Sequence, residues 1–248
     1  MVSERQALVL QLPPDMREHV DNDWPGLSYL RLAVAEGGAS KLSPFGMGVV
    51  PGVLQSPGMR RRIIAGVPDL TPDQQARRAQ FREQRRERRL QKELGAVLTR
   101  SALTGLPTEV AAEQLAQLSE TRHPWSLQVI DDELAVGILW RLGMPTPPNA
   151  LRLLGFTVID GNNWRAASES RIELSAPLAD PAMRIVSEQE WYGVGLTDGN
   201  DATPDTSDPR GAQRYATAFA MLSEAAMSPA DTQDYINDLR VQLPPITT

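Results

Sequence analysis

The sequence predicts an α+β fold, with a small, mostly antiparallel sheet, helices packed on it and a helical C-terminal region. Three observations support this prediction. Hydrophobic residues make up 41% and charged residues 23% of the 248 residues, which is ordinary for a chain that buries a sizeable core. Short segments with strand-like alternation, such as residues 125–130, stand among longer segments with helical spacing. Two predicted helices, over residues 213–227 and 229–242, then close the chain.

The composition excludes several kinds of chemistry. The chain has no cysteine, which rules out disulfides, thiolate metal ligands and cysteine nucleophiles. No apolar run is long enough to span a bilayer, and Met1 to Gln6 lacks the basic head and apolar stretch of a secretory signal. These features predict a cytoplasmic protein that does not associate with membranes.

The net charge of −6 is unevenly distributed along the chain. Residues 71–93 hold seven arginines and one lysine against four acids, a local balance of +4 that leaves −10 for the rest. A general nucleic-acid binder has a broad basic face, so one basic helix on an acidic body predicts no direct DNA binding. The helix could instead hold an acidic partner or pair with acidic loops of its own chain.

Local signals predict the first elements. Residues 8–12 read as an edge strand that the following prolines end. Residues 27–36 have apolar side chains at helical spacing, and glycines end that helix. Residues 41–48 are rich in glycine but match no phosphate-loop pattern, so they predict a loop that leads into a turn at Pro51-Gly52.

Two helix starts are well marked. Ser56 as N-cap and Pro57 at the first helical position begin a short helix over residues 58–65. The segment Thr71-Pro72-Asp73-Gln74 has the residues of a capping box and begins a helix that runs to about Lys92. Arginines lie almost all round this second helix.

The arginine-rich helix has two open interpretations. It could be a solvated face whose long stems cover apolar surface, as most charge runs are. It could also be a docking surface for phosphates or an acidic protein, because guanidinium groups bind oxyanions in a fork. The predicted binding residues are five arginines, one glutamine and one tryptophan. They are Arg78, Arg82, Arg85, Arg86, Arg89, Gln55 and Trp125.

The second half of the chain alternates strands and helices. Predicted strands cover residues 94–98, 125–130, 153–159, 171–174 and 188–194. A helix over residues 107–118, with one apolar stripe, separates the first two. The acidic loop over residues 195–209 lacks the glycine and glutamate of a calcium loop, so it predicts no metal site.

Few residues offer catalytic chemistry. His19 and His123 do not have metal-ligand spacing, and no nucleophile elbow is present, so we predict neither a metal nor a cofactor. Asp131 and Glu133 follow a predicted strand. Because alternate side chains of a strand point the same way, these two carboxylates could lie on one face, and the carboxyl ends of strands are where α/β binding sites often gather acids. Acids at that place also form turns or cap helices. The catalytic candidates are Asp131, Glu133, His123 and Arg100.

Four stretches together resemble one family. They are VPGVLQSP at residues 50–57, RRERRL at 85–90, EQLAQL at 113–118 with LQVI at 127–130, and FAMLSEAAMSP at 219–229. In order and spacing they are similar to the effector domain of actinobacterial regulators of the XRE family, the DUF5753 or Scr1-type antitoxin-like domain. The resemblance implies an N-terminal extension at residues 1–26, the domain at 27–242 and a tail at 243–248.

The chain also departs from that family. Its members usually carry a helix-turn-helix before this domain, and the 26 residues before the resemblance are too few to hold one. Arg100 stands where the family has glutamate, Arg89 where it has glutamine, and Asp131 near a usual strand-ending proline. The resemblance therefore implies a regulatory context without direct DNA binding.

Two functional hypotheses follow from the residues and the resemblance. The first is a stand-alone, regulator-like or antitoxin-like domain that binds an acidic partner protein or a small-molecule ligand, with a homodimer as one option. The second is a cofactor-independent enzyme of actinobacterial secondary metabolism that uses the pocket of the same domain for acid–base or positioning chemistry.

Overall fold

The computed structural model describes residues 3–22, 24–67, 69–120, 125–144, 154–160, 171–177 and 209–243. Three of the sequence predictions lie outside these residues: His123, the strand over residues 188–194, and nearly all of the acidic loop over residues 195–209. The part that is described contains a central sheet with helices on both faces and a helical layer built from the start of the chain.

The sheet has five strands in the order β3-β2-β1-β4-β5. They are β1 Lys41–Met47, β2 Glu93–Thr99, β3 Trp125–Ile130, β4 Leu154–Asp160 and β5 Arg171–Pro177. β1, β2 and β3 run parallel, whereas β4 pairs antiparallel with β1 and β5 antiparallel with β4. The α+β class fits this arrangement, but the prediction of a mostly antiparallel sheet is wrong, because helical crossovers make the first three strands parallel.

Ten helices surround the sheet in the described part of the chain. They are α1 Glu4–Gln11, α2 Pro14–Arg17, α3 Leu27–Gly38, α4 Pro57–Ala65, α5 Pro72–Leu90, α6 Arg100–Thr104, α7 Thr108–Ser119, α8 Asp132–Arg141, α9 Pro209–Ala225 and α10 Pro229–Gln242. The predicted starts of α4 and α5 are confirmed: the Ser56 hydroxyl accepts from the Met59 amide, and the Thr71 capping box is complete.

β1 is the middle strand of the sheet, so the loop predicted over residues 41–48 is wrong. Proline is rarely found inside a central strand, since it has no N–H for the ladder. The pairing of β1 with β2 skips Ser43 and Pro44, while Pro44 lies opposite Thr157 of β4. The sheet therefore accommodates Pro44 through a local gap in one ladder.

The segment after β1 folds back tightly on the strand. A Cβ added at Gly46 would lie 2.2 Å from the Val49 carbonyl oxygen and 2.7 Å from Pro51 Cδ, so only glycine fits there. The side-chain amide of Gln114 in α7 holds the other end of this segment. The Ser56 N–H donates to Gln114 Oε1 at 2.7 Å, and Gln114 Nε2 donates to the Leu54 carbonyl at 2.8 Å. The VPGVLQSP stretch is thus a turn held by close packing at Gly46 and by hydrogen bonds to Gln114.

Alternation along the strands gives each face of the sheet its own apolar core. On one face, Leu42, Leu94 and Leu127 pack with side chains of α7 and α10, such as Leu115 and Ile236. On the other face, the strand residues Phe45, Val97, Ile130 and Phe156 pack with Leu139 of α8 and Leu222 of α9. The predicted C-terminal helices correspond to α9 and α10, and they cover opposite faces.

A third apolar cluster joins the start of the chain to α3 and α5. Leu12, Met16, Trp24, Leu30 and Phe81 are fully buried in it. The edge strand predicted over residues 8–12 is wrong, because that segment belongs to α1, which a Ser3–Gln6 capping box begins. None of the described helices is long and apolar enough to cross a membrane.

Candidate functional site

The arginines of α5 form a buried stripe rather than a solvated surface. Arg78, Arg82, Arg85 and Arg89 are 4–7% exposed. Their spacing of four, three and four residues places them on one face of the helix. The interpretation of α5 as a mainly solvated charge run is therefore wrong. We call these four residues the arginine stripe.

A buried carboxylate on α3 compensates the C-terminal end of the arginine stripe. Glu36, which is 2% exposed, accepts from Arg85 Nε at 2.6 Å and from Arg85 Nη2 at 2.8 Å, and it also accepts from Arg89. This two-bonded geometry is the strongest form of arginine–carboxylate contact. One glutamate therefore serves two buried guanidinium groups.

Aromatic rings support the stripe from the side of the N-terminal helices. The guanidinium carbon of Arg85 lies 4.3 Å from the Tyr29 ring centroid, and that of Arg78 lies 5.1 Å from the Trp24 ring centroid. Trp24 in turn meets Phe81 edge-on at 5.2 Å. Stacking on the ring faces stabilises the cations and holds their forks in one orientation.

A second charged group lies where α4 meets α5. Arg60 of α4, 5% exposed, donates to the Gln55 backbone carbonyl and to the Glu83 carboxylate. Arg86 Nη1 lies 3.3 Å from the other oxygen of Glu83. Burial lowers the pKa of Arg60; Glu83 opposes this, and the nearby Arg86 and Arg82 lower it further. Arg60 and Arg86 thus share the Glu83 carboxylate, and the Glu113 carboxylate also raises the pKa of Arg60.

The buried charges are strongly unequal in sign. Among the described residues, five arginines are buried, namely Arg60 and the arginine stripe, against one buried acid, Glu36. Placing charge in the protein interior costs several kcal/mol per ion unless opposite charge and hydrogen bonds offset it. Arg85 and Arg89 share Glu36, and Arg60 pairs with the more exposed Glu83.

The other predicted binding residues lie apart from the stripe. Gln55 is buried in the turn before α4, where its Nε2 donates to the Val50 carbonyl at 2.8 Å. Its Oε1 is buried and accepts no hydrogen bond within the described structure. Trp125 begins β3 and packs against the α7–α10 core, so it belongs to a different region. Gln55 is nonetheless connected to the buried arginines, because its backbone carbonyl accepts from Arg60.

The acids predicted as catalytic have structural partners. Asp131 is the N-cap of α8, a helix the sequence did not predict, and its carboxylate accepts the amides of Glu133 and Leu134. Glu133 lies exposed in the first turn, so the two side chains do not form a pair beyond the strand. The Arg100 guanidinium carbon lies 5.6 Å from the Tyr235 ring centroid.

Asp132, rather than either of its neighbours, connects the carboxyl ends of β2 and β3. Its Oδ2 accepts from the Ser101 amide at 3.0 Å, and its Oδ1 accepts from the Ser101 hydroxyl. Ser101 Oγ lies 2.9 Å from Thr99 Oγ1, which accepts from the Gly48 amide at 3.1 Å. Polar residues at the ends of parallel strands could have indicated this network. It ties α6, α8 and the turn after β1 together.

The described residues include no group of three or more histidines, aspartates or glutamates arranged to hold a metal ion. His19, the one described histidine, lies on the N-terminal layer with its Nε2 3.2 Å from Gln84 Nε2.

Comparison with known proteins adds one assignment. Residues 29–142 match the family model of DUF5753, a domain of unknown function. The match runs from α3 to just past α8, so it contains the three parallel strands, the arginine stripe and the Asp132 network. No curated protein and no solved structure matches the chain.

Proposed function

We propose that the protein is a non-enzymatic binding module of the regulator type and that the arginine-rich region between α4 and α5 receives an anionic ligand. The observation that carries this proposal is that two guanidinium groups, Arg60 and Arg86, share the one partly exposed carboxylate of Glu83, while the buried Nε of Arg86 has no hydrogen-bond partner among the described residues. An oxyanion at this place could accept from that N–H and offset the repulsion between the two guanidinium groups.

Burial favours a small ligand over an acidic partner protein. A protein surface can contact only side chains that reach solvent, whereas each arginine of the stripe is at most 7% exposed. A small oxyanion can enter beside the half-exposed Glu83 and meet guanidinium groups that are already oriented. Such preorganisation reduces the entropy lost on binding.

The regulatory role rests on the resemblance to effector domains of actinobacterial regulators. In this proposal, binding of the ligand changes how the protein interacts with a partner protein. Such a change requires that the ligand bind one conformation more tightly than another, and an anion that stabilises the α3–α4–α5 region would meet this requirement. The enzymatic alternative is less well supported, since Asp131 caps α8 and Asp132 is bonded to Ser101.

Thermal unfolding with added anions tests the proposal. Phosphate, sulfate, citrate and acetate are each compared with chloride at equal ionic strength, so that general screening is constant. At least one oxyanion is expected to raise Tm in a saturable way, by roughly 5 °C at about 100 times its Kd. If chloride and all four oxyanions give the same Tm over the whole concentration range, the proposed function is wrong.

A further inference from the structure

One half of the Gln55 side-chain amide is hydrogen-bonded and the other half is not. Gln55 is 2% exposed, and its Nε2 donates to the Val50 carbonyl at 2.8 Å. That bond fixes the orientation of the amide, because turning the amide over would place Oε1 against another acceptor. Gln55 Oε1 is therefore a buried acceptor, and it has no hydrogen-bond partner among the described residues. Such atoms are rare in folded proteins, since burial removes their bonds to water without replacement.

Two other glutamines show why Gln55 is distinctive. Gln114, which contacts the same turn, bonds backbone groups through both Oε1 and Nε2, at 2.7 and 2.8 Å, so its whole amide is structural. Gln84 Oε1 is also buried without a partner, but its Nε2 lies 3.2 Å from a His19 ring nitrogen that donates or accepts according to the tautomer. The orientation of the Gln84 amide is thus not fixed. Of these three residues, Gln55 alone combines a fixed amide with a free acceptor.

A short series of contacts connects Gln55 to the proposed position of the ligand. The Gln55 backbone carbonyl accepts from Arg60, and the same guanidinium group donates to the Glu83 carboxylate. The other Glu83 oxygen lies 3.3 Å from Arg86 Nη1, and Arg86 Nε is a buried donor with no partner among the described residues. The residue with the unpaired acceptor and the residue with the unpaired donor therefore both contact the Arg60–Glu83 pair.

We propose that the ligand of the α4–α5 region is an acid that also carries a hydroxyl or N–H donor, and that Gln55 Oε1 accepts from this donor while the acidic group binds at Arg86. The inference rests on the proposed function and defines the chemical class of its ligand. A ligand with both groups satisfies two buried atoms, whereas an acid without the donor leaves Gln55 Oε1 unpaired. Gln55 therefore selects among acids of equal charge.

Isothermal titration at pH 7.5 and constant ionic strength tests this selection with three pairs of acids that differ by one terminal hydroxyl. The pairs are propionate and 3-hydroxypropionate, butyrate and 4-hydroxybutyrate, and hexanoate and 6-hydroxyhexanoate. In the wild type, the hydroxy acid of at least one pair is expected to bind roughly tenfold more tightly than its parent acid. Equal affinities within every pair would leave Gln55 Oε1 to a buried water and overturn the inference, while the proposed function stands.

Variants assign the selection to a residue. Methionine has nearly the length of glutamine but no amide oxygen, so Gln55→Met is expected to abolish the preference for the hydroxy acid and to leave the Kd of the parent acid unchanged within about twofold. Gln114→Met is the matched control, because it loosens the same turn without touching the unpaired acceptor. Loss of the preference to the same extent in both variants would overturn the direct role of Gln55. The comparison within the wild type requires no variant, so it decides even where a variant does not fold.

The position of the acidic group is tested with Arg86→Gln. This variant is expected to bind both members of each pair roughly tenfold more weakly. Arg77 is exposed on the same helix, so Arg77→Gln removes an equal charge outside the site and should bind as the wild type does. Acid binding that is the same in both variants would overturn the assignment to Arg86. Failure of every acid to bind the wild type would overturn the proposed function itself.

Discussion

Glu36 and Arg85 form a buried, two-bonded ion pair that joins α3 to α5, with Nε–Oε2 and Nη2–Oε1 distances of 2.6 and 2.8 Å. The same carboxylate accepts from Arg89, one turn further along α5. Both partners are separated from Glu36 by about 50 residues of chain, so the pair fixes a tertiary contact rather than a local one. It closes the C-terminal end of the arginine stripe.

Glu36→Gln is expected to destabilise the protein by about 3–5 kcal/mol, because it leaves two buried guanidinium groups without their carboxylate. Denaturant unfolding measures the loss as a fall in the midpoint at unchanged slope. The control is Glu93→Gln, which breaks the exposed pair with Lys41 and should cost less than about 1 kcal/mol. Equal costs for the two variants would contradict the role of Glu36.

Gly46→Ala is expected to destabilise the fold by roughly 1–3 kcal/mol or more. The added Cβ would lie 2.2 Å from the Val49 carbonyl oxygen, and backbone cannot yield as a flexible side chain can. Gly137 of α8 gives the matched comparison, since a Cβ added there would meet no atom within 4 Å. Gly137→Ala should stabilise by about 0.5–1 kcal/mol, as alanine does inside helices. Thermal unfolding of both variants tests the opposite signs.

The sequence predicted elements that have local chemical signals and missed those that depend on distant contacts. The capping residues Ser56 and Thr71 mark α4 and α5 because a helix start satisfies its amides locally. Because proline and glycine are unfavourable in strands, Pro44 and Gly46 led to the prediction of a loop where β1 lies. Without β1, the first β-helix-β unit was not predicted. The second unit, with strands at 94–98 and 125–130 around the helix at 107–118, was predicted, but its parallel direction was not inferred from it.

The sequence named the arginines of the candidate site but did not indicate their environment. The arginines of α5 were named as the highest concentration of charge in the chain. Their burial on one face of the helix, however, depends on Glu36, Trp24 and Tyr29, which come from earlier parts of the chain. A charge run has no signal in its own sequence that distinguishes a solvated face from a buried one. The role of Asp132 was missed for the same reason: its partner Ser101 is 31 residues away.

Asp132→Ala is expected to destabilise the protein by about 1.5–3 kcal/mol, the usual value of hydrogen bonds to a charged group. The change removes the acceptor for the Ser101 amide and hydroxyl and so loosens α6 from α8. Asp131→Asn is the control, because asparagine also caps a helix well and should be nearly neutral. Chemical unfolding distinguishes the two. A larger loss for Asp131→Asn than for Asp132→Ala would contradict this assignment.

The pair between Asp15 of α2 and Arg88 of α5 should make the N-terminal layer sensitive to acid. Arg88 Nη2 lies 2.6 Å from both Asp15 oxygens, and this hydrogen bond holds the pKa of Asp15 below its ordinary value of 3.8. Since the folded pKa is the lower one, the stabilisation is fully present above 3.8 and is lost as the pH falls through the folded value. Asp15→Asn should therefore lower the free energy of unfolding by roughly 0.2–1 kcal/mol at pH 7, as exposed pairs do, and by progressively less below the ordinary pKa.

Carboxyl NMR titration measures the Asp15–Arg88 pair directly: in Arg88→Gln the pKa of Asp15 should rise toward its ordinary value, whereas in Arg77→Gln it should stay depressed. An Asp15 pKa that does not respond to Arg88→Gln would show that the pair does not form in solution.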